Sequence, residues 1–180
     1  MSNVANVTAG KPKIGGAIFR APVGTTLPTD TTTALGNDFI QLGYVSEDGL
    51  TNSNTAETSE VKAWGGETVL NPQTGKSDTF HFKLLEVMDV NVLKAVYNDD
   101  NVTEENGLIT IKANMAEAEE AAWVIDMILR GNKAKRITIP RAKITELGDI
   151  VYNDNDPVGY EVTIQAYADD AGQTHYEYIK

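Results

Sequence analysis

The chain has 180 residues and no cysteine, which excludes a disulfide framework, a thiolate metal site and a thiol nucleophile. Its length fits one domain and is sufficient to bury a hydrophobic core without a metal or a cross-link. The formal net charge is −11, from 26 acidic and 15 basic residues, and so acidic a surface argues against a protein that grips nucleic acid or anionic lipid.

The beginning of the chain does not have the pattern of a targeting segment. Residues Met1–Val7 lack the basic head and the apolar run of a secretory signal. No segment approaches the roughly 18 consecutive apolar residues that a membrane span needs. We therefore expect the protein to be made and released in the cytoplasm without export.

The first 37 residues predict an arm and a loop. A short strand-like piece, Ala17–Arg20, precedes a segment from Ala21 to Asn37 that is rich in proline, glycine and threonine, a mixture that interrupts helices and strands. Such an arm is either a mobile terminus or a segment that becomes ordered on a neighbouring subunit, and the sequence leaves both open. Residues 38–180 are then the β-rich core of a single domain that spans residues 1–180.

Strand patterns recur at short intervals from Phe39 onward, separated by turn residues. In one of them Phe80, Phe82 and Leu84 fall on the same face, as expected for a sheet with one buried face. Many short strands with this punctuation predict a mainly β fold, a β-sandwich or a barrel. The predicted strands are Phe39–Val45, Thr58–Trp64, Thr68–Leu70, Ser77–Val87, Leu108–Ala113, Ala134–Ile139, Ala142–Val151, Val158–Ala168 and His175–Ile179.

One α-helix is predicted at Val90–Tyr97. Asp89 precedes it and is a favourable N-cap residue, because its carboxylate can accept hydrogen bonds from free backbone N–H groups of the first turn. The apolar residues within the helix recur at helical spacing and form one stripe. We expect this helix to cover one face of the sheet.

The segment Met115–Arg130 combines two conflicting patterns. Its first half is rich in alanine and glutamate and favours a helix, whereas its second half alternates between apolar and other residues. We predict a strand at Trp123–Arg130, in which Asp126 and Arg130 face away from the core. Gly131-Asn132 then provides the turn into the next strand.

Three short motifs resemble functional sites but lack residues that those sites require. Thr74-Gly75-Lys76-Ser77 resembles the end of a phosphate-binding loop, but Leu70 stands where that motif has glycine, so we predict a hairpin turn. Asp154–Gly159 resembles the start of a calcium loop, but Val158 and Gln165 stand at ligand positions. His81 and His175 both lie in strand patterns, without the strained turn that presents a catalytic nucleophile.

We therefore predict no catalytic, cofactor-binding or metal-binding residues, and no enzymatic activity. The acidic runs Asp99–Glu105 and Glu117–Glu120 are predicted to be solvated loops, although the paired carboxylates of a glycosidase are set by spatial and not sequence spacing.

Six basic residues fall within fourteen positions that contain no acidic residue. This cluster is either a solvated hairpin or an electropositive patch that contacts an acidic surface of another copy, since complementary charges favour head-to-tail association. A DNA-binding patch is a third interpretation, which the acidic balance of the chain opposes. The candidate subunit-interface residues are Arg130, Lys133, Lys135, Arg136, Arg141 and Lys143.

Several stretches in a fixed order carry a resemblance to a known family over nearly the whole chain. They are Ile18–Pro28, Leu42–Leu50, Ala63–Gly66, Leu93–Tyr97, Pro157–Ile164 and Thr174–Ile179. The combination of Gly-Tyr-x-Ser-Glu-Asp-Gly at residues 43–49 with Thr-His-Tyr-Glu-Tyr at residues 174–178 is specific, although each motif alone is weak. The chain resembles the major tail protein, or tail tube protein, of siphophages, which are long-tailed bacteriophages.

The resemblance implies a β-sandwich-like tube domain with a flanking helix and no catalytic or cofactor residue. It implies rings of six copies that stack into a hollow tail tube, through which double-stranded DNA passes without specific binding. The implied partners are further copies of the chain, the tape measure protein, the tail terminator and the tail-tip proteins, in a virion assembled in the host cytoplasm. The arm at residues 1–37 and a polar loop at Asp48–Thr58 are the predicted segments that order on stacking.

The residues leave two other functions open. A carbohydrate- or receptor-binding β-sandwich would be favoured if Trp64 and Trp123 were exposed together. A small hydrolase would be favoured by a cleft that gathers a carboxylate beside His81 or His175.

Overall fold

Antiparallel strands make up most of the fold in the computed structural model of this chain, which describes residues 2–13 and 16–180. In the first half the strands are β1 (Lys11–Pro12), β2 (Ile18–Pro22), β3 (Ile40–Gln41), β4 (Val45–Thr58), β5 (Val61–Lys62), β6 (Thr68–Leu70) and β7 (Gln73–Leu84). After the helix α1 (Val90–Tyr97) come β8 (Val102–Glu105), β9 (Leu108–Ile111), β10 (Ala121–Leu129), β11 (Lys133–Leu147), β12 (Tyr160–Ala166) and β13 (Tyr176–Ile179). The prediction of a mainly β fold with one flanking helix is confirmed.

One large antiparallel sheet organises the molecule. Among the described residues it contains nine strands, in the order β3-β2-β10-β11-β12-β7-β4, with β1 paired to β10 and β13 paired to β11. Two separate two-stranded ladders join β5 to β6 and β8 to β9. β3 and β4 are the two ends of this strand order, but the chain links them through Leu42–Tyr44. Leu42 N–H donates to the carbonyl oxygen of Ile18 and Leu85 N–H donates to that of Tyr44, so the two ends of the sheet lie close together.

The hydrophobic core lies on the inner face of this sheet. Phe80, Phe82 and Leu84 of β7 and Val162 and Ile164 of β12 alternate along paired strands and are almost completely buried. On β10, Trp123 is 1% exposed and packs near Phe82, with ring centroids 6.2 Å apart. The period of two in these strands therefore predicted the correct core positions.

The helix α1 closes one side of the core. Asp89 caps it as predicted, because the Asp89 carboxylate accepts a hydrogen bond of 2.7 Å from the backbone N–H of Asn91. Val92 and Leu93 face the core and are buried. The helix ends at Asn98, whose positive φ turns the chain away and whose side chain hydrogen-bonds the backbone of Glu117 and Glu119.

Strand β11 runs through Pro140, where two separate strands were predicted. The pairing with β10 shifts between Trp123↔Ile139 and Ala121↔Ala142, so β11 contains one extra residue at this point. A β-bulge accommodates a proline, which cannot donate a ladder hydrogen bond. The prediction of a break between Ile139 and Ala142 is therefore wrong.

Four further predictions about local structure are wrong in whole or in part. Asp48–Thr58 is not a loop but belongs to β4, and Phe39–Val45 contributes strand only at Ile40–Gln41 and at Val45. Thr74–Ser77 lies inside β7 and not in a turn. Part of the acidic run Asp99–Glu105 forms β8, which pairs with β9, whereas Glu117–Glu120 is an exposed irregular segment as predicted.

The outer face of β10 and β11 is covered by a loop at residues 23–37, called the Thr-rich loop below. Arg136 of β11 is 2% exposed and donates hydrogen bonds to the carbonyl oxygens of Asp30 and Thr33, at 3.1 and 2.8 Å. Asp126 of β10 accepts from the same guanidinium and is 4% exposed. Part of the predicted arm is therefore fixed on the sheet by buried polar contacts.

Candidate functional site

A long two-stranded extension projects from the edge of the sheet. The pairing of β12 with β7 ends at Thr79. Beyond this residue β4 and β7 stay paired with each other, and the ladder continues through β5 and β6 to a turn at Trp64–Gly66. We call residues 54–76 the ribbon. In the part of the chain that the structure describes, the backbone hydrogen bonds of the ribbon join only its own two strands.

The ribbon is solvent-exposed along its length, with Gly75 alone partly buried. From Asn54 to Trp64 it spans about 30 Å at the usual rise of a strand. A two-stranded ribbon without other neighbours is marginally stable in water. Its exposed edge also presents free backbone N–H and C=O groups, which pair readily with another strand.

The tip of the ribbon is apolar. Trp64 is fully exposed, and Val61, Val69 and Leu70 are each about half exposed. A group of exposed apolar side chains at the end of an extension is typical of a protein–protein contact surface. The sequence pattern predicted strands in this region but gave no indication that the whole ribbon is exposed. The exposure of a strand depends on which other strands lie beside it, and a local pattern does not contain that information.

The structure separates the six residues of the basic cluster. Lys135 pairs with Glu177 at 3.0 Å, Arg141 pairs with Glu120 at 2.6 Å, and Lys143 pairs with Glu117. The contact with Lys143 lowers the pKa of the Glu117 carboxyl below its ordinary value and raises the pKa of Lys143. These three cations are partly neutralised within the subunit.

Arg136 lies inside the subunit and contributes nothing to its surface. Its bidentate pair with Asp126 raises the pKa of the guanidinium above its ordinary value, and the buried pair fixes the Thr-rich loop. Arg136 is therefore excluded from any surface patch in this fold.

Arg130 and Lys133 flank the turn between β10 and β11. Gly131 and Asn132 both have a positive φ there, as the predicted turn requires. Both basic side chains are exposed, and no carboxylate of residues 2–13 or 16–180 lies within ion-pair distance of either. Lys11 of β1, which pairs with Ile128, adds a third exposed cation near this end of the sheet. We call Lys11, Arg130 and Lys133 the basic turn.

A buried carboxylate joins the C-terminal strand to the base of the ribbon. Asp78 is 1% exposed and accepts hydrogen bonds from Asn52 at 2.8 Å, from Thr174 at 2.5 Å and from His175 Nδ1 at 2.6 Å. Burial raises the pKa of the Asp78 carboxyl, but the hydrogen bonds from Thr174, Asn52 and His175 outweigh burial and lower it below its ordinary value.

The pairing of Asp78 with His175 lacks the third member of a catalytic triad. In the described part of the chain, no hydroxyl group hydrogen-bonds His175 Nε2, and its nearest carboxylate oxygen is Glu177 Oε1 at 4.0 Å. The His175 ring instead packs edge-on against Phe80, with centroids 5.3 Å apart. This arrangement anchors a strand and presents no activated nucleophile.

The His81 side chain lies on the other face of β7, in a row with Glu161 and Thr163 that resembles a catalytic triad. Its Nε2 lies 3.0 Å from Glu161 Oε1, and its Nδ1 lies 3.1 Å from Thr163 Oγ1. The His81 and Glu161 side chains are each about half exposed, on a strand face where β7 and β12 pair through their backbone groups. The backbone N–H groups that pair in the β7–β12 ladder are not free to stabilise an oxyanion beside these side chains.

Neither a metal site nor a paired-tryptophan surface is formed by the described residues. No group of three histidine or acidic side chains within residues 2–13 and 16–180 is arranged to hold a metal ion. Trp64 is exposed but Trp123 is buried, so the two rings do not form a joint sugar-stacking platform. Over the same residues, no helix has the length and apolar content needed to cross a bilayer.

The comparison with known families agrees with this distribution of features. A family model described as "Phage tail tube protein" matches residues 2–180, which is nearly the whole chain. No curated protein sequence matches the chain. With a mainly β fold, an exposed ribbon and a match over this length, the chain belongs to the phage tail tube protein family.

Proposed function

We propose that the protein is the subunit of a siphophage tail tube, and that six copies form a ring and rings stack into a hollow tube that conducts double-stranded DNA. In this role residues 1–180 act as one tube domain without catalytic activity. Its partners are further copies of the chain, together with the tape measure protein, the tail terminator and the tail-tip proteins. Assembly takes place in the host cytoplasm.

The observation that carries the proposal is the ribbon. This two-stranded extension of about 30 Å has an apolar tip, and in the described part of the chain nearly all of its residues are exposed to solvent. Such a segment gains stability when another subunit covers it, and its open edge can pair with a strand of a neighbour. A contact between a ribbon at one end of the sheet and a different surface of the next copy is head-to-tail, so it generates a ring or a filament.

Charge supports the same function. The net charge of −11 leaves few cations for phosphate groups, which suits a channel through which DNA slides. The pairing of Lys135, Arg141 and Lys143 within the subunit further reduces the number of free cations. Arg130 and Lys133 are then the members of the predicted cluster that stay exposed and unpaired among the described residues, and we propose that the basic turn contacts an acidic surface of a neighbouring copy.

Negative-stain electron microscopy of the purified protein at increasing concentration tests the proposal. We expect rings with sixfold symmetry and hollow tubes of uniform width, either alone or after addition of tail-tip and tape measure components. Dispersed small particles under all these conditions would refute self-assembly and favour a receptor-binding module.

A shortened ribbon provides the matched variant. Joining Glu57 to Gly75, which are paired across the ribbon, through an Asn-Gly turn removes the tip and leaves the sheet intact. Circular dichroism should show the same β content as the wild type. We expect this variant to remain dispersed at concentrations at which the wild type forms tubes.

A further inference from the structure

The tip of the ribbon is a preformed apolar turn. Ala63 N–H donates to the carbonyl oxygen of Glu67 at 2.8 Å, and Gly66 N–H donates to the carbonyl oxygen of Ala63 at 3.0 Å. Gly65 and Gly66 both have a positive φ, a backbone conformation that residues other than glycine rarely adopt. Trp64 is therefore held at the end of a defined turn with its indole ring fully exposed.

A groove with an apolar base lies between β2 and α1. Its lining includes Ala21, Pro22 and Val23, with Leu42 buried at its base. Asn91 and Lys94 of α1 lie on its other side, and the acidic residues Asp99, Glu119 and Glu120 also line it. Within residues 2–13 and 16–180, β3 pairs with Phe19 and Arg20 of β2 and leaves the edge of Ala21 and Pro22 unpaired on that side. Val23 and Ile40 remain 48% and 45% exposed at the groove.

Unpaired charges of opposite sign accompany the two surfaces. Glu67 follows the turn that holds Trp64, and Lys94 borders the groove. Within residues 2–13 and 16–180, neither has an oppositely charged group at ion-pair distance. The other charged side chains that line the groove are already paired: Arg20 with Asp99 and Glu119 at 2.8 and 3.2 Å, and Glu120 with Arg141 at 2.6 Å.

We propose that Trp64 of one copy inserts into the groove between β2 and α1 of a neighbouring copy, with Glu67 placed against Lys94. This inference rests on the proposed self-assembly, in which Trp64 would be the inserted side chain and the groove would be the surface that receives it. A tryptophan ring buries a large apolar area, and a lysine ammonium beside an indole ring adds a cation–π attraction.

The occupant of the groove is another copy and not the same chain. No ribbon residue is among the described residues that line the groove. Trp64 is fully exposed within its own subunit. Because the two complementary surfaces are different, their contact is heterologous and can be repeated from subunit to subunit.

Substitution of Trp64 gives the first test, read by sedimentation velocity and electron microscopy. Trp64→Ala should weaken self-association by about tenfold or more, and Trp64→Phe should weaken it less. Met115→Ala is the matched control, because Met115 is equally exposed but lies on a different segment. If the wild type forms tubes and Trp64→Ala forms them at the same concentration, the inference is wrong while the proposed function stands. If the wild type never associates, both are wrong.

Cross-linking identifies the receptor, and the absence of native cysteine makes it specific. A protein with Ala63→Cys and Asn91→Cys should form intermolecular disulfide-linked multimers after assembly and mild oxidation. A protein with Ala63→Cys and Met115→Cys should form few. Tubes in which the two double variants cross-link to the same extent would overturn the assignment of the groove.

The reciprocal exchange of charges tests the contact between Glu67 and Lys94. A protein with both Glu67→Lys and Lys94→Glu should associate better than either single variant.

Discussion

Asp126 and Arg136 lie directly opposite each other on β10 and β11 and form a two-point ion pair beneath the Thr-rich loop. Arg136 Nε lies 2.6 Å from Asp126 Oδ1, and Arg136 Nη2 lies 2.8 Å from Asp126 Oδ2. The remaining terminal nitrogen, Nη1, bonds two carbonyl oxygens of the loop, and Lys13 adds a second cation 3.3 Å from Asp126. Removing one member of such a buried pair is costly, because the other charge then stays buried without its partner.

Removal of the Arg136 guanidinium should therefore destabilise the subunit strongly. Arg136→Met leaves Asp126 buried with only Lys13 as a cation, and it leaves the carbonyl groups of Asp30 and Thr33 without their donor. We expect the free energy of unfolding to fall by about 3 kcal/mol in urea titrations. Lys133→Met, an exposed position on the same strand, should change it by less than about 0.5 kcal/mol. Equal stability of the two variants would contradict the buried role of Arg136.

Asp78 should make stability depend on pH in the acidic range. Its pKa in the folded protein is lowered from the ordinary value of 3.8, so the stabilisation is fully present above that value and is lost as pH falls through the folded pKa. Asp78→Asn should be less stable than the wild type at pH 7, and the difference should shrink as pH falls below about 4. Thermal unfolding at a series of pH values measures this. Asp154→Asn, at an exposed loop position, controls for the change in net charge, and a constant difference from pH 7 to pH 3 would refute the prediction.

The sequence predicted the strands that are buried on one face and missed those that depend on partners. β7 and β12 alternate clearly because one face packs on the core, whereas the first six residues of β10 are buried on both faces. The polar stretch of β4 has no such pattern, because it is exposed on both faces and is a strand only through its pairing with β7. Pro140 predicted a break, but a bulge absorbed it.

The candidate interface residues illustrate the limit of charge patterns. In the sequence, Arg136 cannot be distinguished from the basic residues around it. Its buried environment follows from the strand register, because the turn centred on Gly131 places Arg136 opposite Asp126. The alternation in β10 did predict that Asp126 faces away from the core. It gave no indication that the Thr-rich loop returns across that outer face, since a long-range contact of this kind leaves no local signal in one sequence.

The cap of α1 should make a measurable but smaller contribution to stability. Asp89→Ala removes the carboxylate that accepts from Asn91 N–H, and loss of an N-cap costs about 1 kcal/mol. Asp89→Ser, which retains a capping oxygen, should recover most of this loss. Chemical denaturation of the three proteins provides the comparison, and an Asp89→Ser variant no more stable than Asp89→Ala would contradict the capping role.

The ribbon should be the part of the chain whose amide protection changes most on assembly. In the dispersed subunit, the backbone hydrogen bonds of residues 54–76 are exposed to water and have no packed neighbour, so their amide hydrogens should exchange within seconds. Contact with another copy would cover them, and we expect a slowing of about tenfold or more in assembled tubes by hydrogen–deuterium exchange mass spectrometry. Residues of β12, which are paired on both sides, provide an internal reference that should exchange slowly in both states. Ribbon amides that exchange equally fast in tubes and in dispersed subunits would exclude the ribbon as a contact between copies, because an interface that leaves its backbone open to water cannot supply the missing packing.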